Sequence, residues 1–167
     1  MLPDLVLVLV VGISLYTDLR YKKIYNIVLF PAFVLALLYS LTSGGLTGLL
    51  FSIKGATLGL ALLLIPFMLG GMGAGDVKML AVIGAWQGPH FVWLCFLSTA
   101  IVGGIISLVL LLKSGRLWQS LKYILFAFLP GTPKVNAFGT LATAKAGEAF
   151  PYGVAIAAGT LATYFLR

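Results

Sequence analysis

The sequence predicts an all-α membrane protein, a bundle of six transmembrane helices. Of its 167 residues, 61% are hydrophobic and only 9% are charged, whereas a soluble domain usually carries about 25% charged residues. The apolar residues form long runs separated by short polar stretches, and a water-soluble core of this size could not bury so much apolar sequence. We therefore expect a single transmembrane domain over residues 1–167, embedded in a lipid bilayer.

Six apolar segments mark the predicted spans. They cover residues 2–17, 27–42, 46–69, 77–86, 91–112 and 152–166. A perpendicular crossing of about 30 Å of hydrocarbon needs about 20 helical residues. The fourth segment is too short for this, and we expect it either to continue through Gly88-Pro89 into the fifth or to form a half helix. Leucines at helical spacing after Lys113 predict an additional helix at the membrane interface.

The charge pattern predicts how the chain is oriented. Eleven Lys and Arg stand against four acids, for a net charge of +7. The basic residues lie between apolar runs, which is typical of cytoplasmic loops and not of a nucleic-acid-binding face. With six spans nine of them fall on one side, while Arg167 falls on the other and Lys54 lies near the outer end of the third span. We therefore expect the side with nine to be cytoplasmic and both termini to lie outside. The basic residues expected on the cytoplasmic side are Arg20, Lys22, Lys23, Lys78, Lys113, Arg116, Lys122, Lys134 and Lys145.

Two of the four acids are candidates for chemistry. Asp4 is expected to be a solvated charge at the outer end of the first span, and Glu148 a surface residue before the last. Asp18 ends the first span and Asp76 opens the fourth, so both are expected at the cytoplasmic edge, where ionisable groups tend to mark function. The alternatives are an ion pair between Asp18 and a nearby basic residue, and a helix-capping role for Asp76.

A pair of facing carboxylates predicts a particular kind of catalysis. Two such groups cannot both ionise cheaply, so one keeps its proton and the pair titrates together. The ionised member can take a proton from water while the other polarises a peptide carbonyl, with no metal or cofactor. Cys95 and His90 are the only cysteine and histidine; Cys95 is expected to be a packed apolar residue and His90 a loop residue. Histidine-dependent serine or cysteine protease chemistry is poorly supported.

Three blocks of sequence carry a family resemblance. Gly73-Ala74-Gly75-Asp76-Val77-Lys78 matches a G-x-G-D-x-K motif. Asp18-Leu19-Arg20-Tyr21-Lys22-Lys23-Ile24-Tyr25-Asn26 is similar to a first aspartate block, with Tyr25 where a proline is common. Pro151-Tyr152-Gly153 resembles the start of a last span. Together, and in this order, they resemble the type IV prepilin peptidases.

The resemblance implies an intramembrane aspartyl endopeptidase of the GxGD kind, with Asp18 and Asp76 as the catalytic pair. Its substrates would be prepilins, pseudopilins or related class III signal peptides, whose short basic leader is removed at the cytoplasmic face of the inner membrane. The cytoplasmic domain with Cys-x-x-Cys motifs that larger, N-methylating members carry is not seen in this sequence. The chain is most similar to the short class that serves Flp-type pili.

Four further residues are candidates for shaping the site. Gly73 and Gly75 would let substrate backbone approach closely. Lys78 would orient a substrate carboxylate or stabilise the ionised pair, or else only mark the cytoplasmic side. Asn26 would hydrogen-bond backbone near the site, or else cap the second span.

Two other classes of function compete with a protease. Intramembrane aspartates also serve ion and proton pathways, and broken glycine-rich helices build transporter sites. A small ion-coupled transporter or channel component is therefore one alternative, and a non-catalytic pilus-assembly subunit is another. Both aspartates are expected at one face and no inverted repeat is visible in the sequence, which argues against the transporter.

Overall fold

The computed structural model describes residues 2–113 and 152–166, and these residues form four helices. The helices are α1 (Leu2–Tyr21), α2 (Asn26–Met68), α3 (Ala74–Lys113) and α4 (Tyr152–Leu166). The predicted interfacial helix and Glu148 lie outside the described residues.

Helix α2 folds back on itself at Gly45. The backbone there leaves the helical region, with φ 58° and ψ −144°, a conformation that glycine adopts without the penalty of a side chain. In a straight helix, Ser40 and Gly48 would lie about 12 Å apart. Here the two backbones are in contact, because a side chain at Gly48 would overlap the backbone carbonyl of Ser40. The two halves of α2 are therefore antiparallel neighbours.

Helix α3 reverses in the same way at Gly88. Its φ is 82° and its ψ 179°, and Pro89 follows. The ring of Phe51 covers this glycine so closely that any side chain there would overlap it. Glycine is thus required at this turn for two reasons: its backbone has a positive φ, and Phe51 of α2 leaves no room for a side chain.

The prediction of six separate helices is correct only in part. Residues 2–113 and 152–166 form four helices rather than six, because α2 and α3 each combine two predicted spans. The non-helical residues Gly45 and Gly88 nevertheless lie at the predicted boundaries. The fourth predicted span begins at Ala74, three residues earlier than expected, and does not end as a half helix within the bundle; it reverses at Gly88 into the fifth.

Small residues hold the helical segments together. Gly55 packs against Gly84, and a side chain at Gly59 would come within 2.6 Å of the Leu80 carbonyl oxygen. These pairs make the second half of α2 antiparallel to the first half of α3. The second half of α3 packs against α4 in the same manner, with Gly159 against Thr99. Close approach at small residues is how helices associate in lipid, where no hydrophobic force acts between them.

The contacts give the bundle two distinct ends. At one end Asp18 of α1 contacts Gly153 of α4, and Lys78 of α3 contacts Asn26 of α2. At the other end, Gln87 donates hydrogen bonds to Asp4 Oδ1 (2.9 Å) and to the Tyr164 hydroxyl (2.8 Å), and that hydroxyl donates to Asp4 (3.1 Å). Asp4 stays partly exposed, as expected of a charge at this end, and it also joins a polar cluster that links α1, α3 and α4.

The described helices are suited to a bilayer. Three of them, α1, α2 and the part of α3 up to Val109, are long and apolar enough to cross a membrane, and α4 is a shorter apolar helix of 15 residues. Large apolar side chains such as Phe30, Leu46 and Ile101 are 64–72% exposed on the outside of the bundle. The protein is therefore a membrane protein built of helices.

Candidate active site

A cavity of about 330 Å³ opens at the end of the bundle where α1 ends and α3 begins. Asp18 and Asp76 both line it, although they are far apart in sequence. Asp18 lies in the last turn of α1 and Asp76 in the first turn of α3. The remaining lining residues are Lys22, Lys23, Ile24, Tyr25, Asn26, Gly73, Ala74 and Gly75.

Asp76 is fixed by the backbone at the start of α3. The Gly73 amide donates to Asp76 Oδ2 at 3.1 Å, and the Asp76 amide donates to the Gly73 carbonyl at 3.2 Å. The first bond is one half of a capping box, in which the side chain of the third helical residue accepts from the amide before the helix; the second is a backbone turn bond, since Gly73 has no side chain to complete the box. The capping role accounts for one carboxylate oxygen of Asp76. It does not account for the burial of Asp76, which is only 7% exposed.

Asp18 is held by a backbone amide from the opposite end of the sequence. Its Oδ2 accepts a hydrogen bond of 3.1 Å from the Gly153 amide in α4, and its side chain is only 9% exposed. Lys22 lies near enough for its charge to act on Asp18, yet within the described residues no ion pair joins Asp18 to Arg20, Lys22 or Lys23. The ion-pair alternative for Asp18 is therefore not the arrangement seen.

The two carboxylates are close enough for their charges to interact. They enter the cavity wall from separate helices, and each is anchored through one oxygen. Such a pair can hold a water molecule between two groups that differ in protonation. Within residues 2–113 and 152–166, no group of three or more His, Cys, Asp or Glu side chains is positioned to hold a metal ion.

Gly75 sets how closely α3 approaches the α1–α2 connection. A side chain at this position would come within 2.9 Å of Ile24 Cβ. Tyr25, which stands where the resemblance suggests proline, has an extended backbone (φ −85°, ψ 132°), and α2 still begins at Asn26. The absence of a side chain at Gly75 therefore lets the start of α3, with Asp76, lie against the end of the connection.

The comparison with protein families agrees with this arrangement. Residues 5–108, well over half of the chain, match the type IV leader peptidase family. The chain belongs to that family. This membership indicates a peptidase. Neither the curated proteins nor the solved structures give a match.

Lys78 and Asn26 contact each other beside the cavity. The Lys78 ammonium donates to Asn26 Oδ1 at 3.0 Å, and both side chains are exposed. Asn26 also lines the cavity, whereas Lys78 lies just outside the lining. This contact occupies Asn26 Oδ1 and keeps a positive charge beside the cavity; a hydrogen bond from Asn26 to backbone near the site stays a prediction.

Two residues near the aspartates were not predicted as site residues. Gly153 donates to Asp18, and the Tyr152 phenol lies within range of the Asp76 charge. The sequence did offer a signal, since Tyr152 and Gly153 belong to the block that resembles the start of the family's last span. They lie beyond the stretch that matches the leader peptidase family.

Proposed function

We propose that the protein is an aspartic endopeptidase that removes the short basic leader of prepilins or related class III signal peptides. Asp18 and Asp76 form its catalytic pair. The reaction takes place in the cavity at the end of the bundle that bears the basic residues, which is the cytoplasmic face of the inner membrane.

The proposal rests on one observation: two buried carboxylates from different helices line one cavity. Burial of an ionised carboxylate is costly unless the group is paired and hydrogen-bonded, so two buried carboxylates at one cavity favour a functional role. Catalysis is a role in keeping with a peptidase family, and hydrolysis by a carboxylate pair needs neither histidine nor metal.

The geometry supports a shared-proton mechanism. Each Oδ2 accepts an amide hydrogen bond, and among the described residues no hydrogen bond reaches either Oδ1. The two Oδ1 atoms are thus the ones available to a water molecule and to a substrate carbonyl. The ionised member takes a proton from the attacking water, and the protonated member donates to the carbonyl oxygen. The tetrahedral intermediate then collapses as the leaving amine is protonated.

The substrate leader meets a basic rim. Lys22 and Lys23 line the cavity, and they would repel a basic leader in water. Anionic lipid headgroups attract both partners at the cytoplasmic surface and lower this repulsion. The scissile peptide then reaches the carboxylates from the membrane surface, beside the backbone of Gly73-Ala74-Gly75.

A co-expression experiment tests the catalytic pair. A small Flp-type prepilin is produced with the wild-type protein, Asp18→Asn or Asp76→Asn, and leader removal is measured by mass spectrometry of the pilin amino terminus. Because asparagine can neither accept nor hold the shared proton, we expect each variant to cleave at least about 100-fold more slowly. Both variants should accumulate in the membrane at the wild-type level.

Asp4→Asn is the matched control, since it makes the same change at the opposite end of the bundle and keeps the Oδ1 that accepts from Gln87. We expect it to cleave normally. Wild-type cleavage by either Asp18→Asn or Asp76→Asn would remove that residue from the pair, and failure of the wild type on a panel of prepilins would refute the substrate assignment.

A further inference from the structure

The first turn of α4 contacts Asp18 and lies near Asp76. The Gly153 amide donates to Asp18, and the Tyr152 phenol lies within range of the Asp76 charge. The family match ends at residue 108, so neither contact follows from it. Asp18 and Gly153 are 135 residues apart, and only the packing of α1 against α4 brings them together.

The space at Gly153 is occupied by the Asp18 side chain. A Cβ atom at this position would lie 2.5 Å from Asp18 Oδ2, 3.0 Å from Cγ and 3.1 Å from Cβ. Three atoms of a short side chain are crowded at once, so a rotation of the carboxylate alone would not relieve the overlap. The Asp18 side chain would have to leave its place, and its hydrogen bond to α4 would be lost.

Most other tight glycines in the bundle face backbone or apolar groups. Gly59 faces Leu80 and Gly75 faces Ile24, for example, and Gly73, the other glycine beside a carboxylate, leaves 3.3 Å to Asp76 Oδ2. Glycine within a helix normally costs stability relative to alanine. At Gly153 a glycine is needed despite that cost, because the buried Asp18 side chain occupies the space that a side chain would take.

We propose that Gly153 is a positioning residue for the aspartate pair: its amide holds the Asp18 carboxylate beside Asp76, and its lack of a side chain makes that placement possible. This inference rests on the proposed function for its catalytic consequence, whereas the contact itself is independent of it. It makes the start of α4 part of the active site, although α4 supplies no catalytic group.

Cleavage kinetics test the catalytic consequence. Gly153→Ala is compared with Gly103→Ala, which adds the same methyl group to α3 facing α4 but at an ordinary 3.6 Å from Ala155 Cβ. Displacement of a catalytic group by about 1 Å can cost about 100-fold in rate. We expect Gly153→Ala to lower kcat by about that factor with KM unchanged, and Gly103→Ala to retain the wild-type kcat. Wild-type kcat in Gly153→Ala would overturn the proposal, and so would a defect in KM alone.

Thermal unfolding in detergent tests the contact without any substrate. Gly153→Ala is measured in the wild type and in Asp18→Ala, where the crowding carboxylate is gone. We expect a lower melting temperature in the first background and an equal or higher one in the second, because alanine is the better helix former. Equal losses in both backgrounds would overturn the proposal. If the wild type cleaves no prepilin, the proposed function fails while this comparison still decides whether Gly153 holds Asp18.

Discussion

Asp18 and Asp76 are anchored by backbone amides and not by basic side chains. An amide orients a carboxylate without cancelling its charge, whereas a paired Arg or Lys would keep it ionised at all relevant pH values. A carboxylate that must alternate between charged and protonated forms is therefore better held by an amide. At the scale of single residues, this choice of partner is compatible with the proposed exchange of a proton between Asp18 and Asp76.

The cluster at the other end of the bundle yields a prediction about stability alone. Tyr164→Phe removes the hydroxyl that accepts from Gln87 and donates to Asp4. We expect a loss of about 1 kcal/mol, seen as a fall of about 2–4 °C in melting temperature in detergent, with the kcat of the folded protein unchanged. Tyr16→Phe is the control, because Tyr16 is 59% exposed. Equal melting temperatures for the two variants would contradict a linking role for the cluster.

Helix boundaries show what the sequence could predict and where it failed. The last span was predicted to cover residues 152–166, which is where α4 lies. This prediction was possible because a run of apolar residues marks a segment that lies in lipid. The start of α3 was placed too late, since Gly73-Ala74-Gly75 suggested a loop. The structure continues the helix back to Ala74 because Gly75 packs against Ile24, a tertiary contact that overrides its weak helix propensity.

The reversal points and the α1–α4 contact differ in how predictable they were. Gly88-Pro89 and the glycines around residue 45 are recognisable turn signals in a single sequence. The hydrogen bond from Gly153 to Asp18 is not, because it depends on which face of α4 meets which face of α1. Nothing local to either residue encodes that pairing. The candidate aspartates were therefore predictable from sequence, and the element that orients one of them was not.

The contact of Gly75 with Ile24 leads to a prediction at the scale of elements. Gly75→Ala would place a methyl group 2.9 Å from Ile24 Cβ and push the start of α3 from the α1–α2 connection. Because Asp76 moves with α3, we expect cleavage to fall about 10- to 100-fold, measured as kcat with the same prepilin. Gly104→Ala, which meets nothing within 4 Å, should behave like the wild type. A fully active Gly75→Ala protein would show that this contact does not set the position of Asp76.

The described part of the molecule differs in charge between its two ends. One end carries the cavity, with Arg20, Lys22, Lys23 and Lys78 nearby, and the other carries the turn at Gly88 with the Asp4 cluster, where Lys54 is the nearby basic residue among those described. Basic residues accumulate on the cytoplasmic side of membrane proteins. In the proposed orientation, the residues that direct insertion also surround the candidate site.

Labelling with a thiol reagent that does not cross membranes tests this orientation. Cys95, the only cysteine, is 0% exposed, so the wild type should stay unlabelled until it is denatured, which provides the background. Lys23 and His90 are exposed at opposite ends of the bundle. In cells with a permeable outer membrane, His90→Cys should react at once, and Lys23→Cys only after the inner membrane is opened. The reverse pattern would place the cavity outside the cytoplasm, where a prepilin leader is not presented, and it would exclude leader cleavage at the cytoplasmic face even if Asp18 and Asp76 proved catalytic.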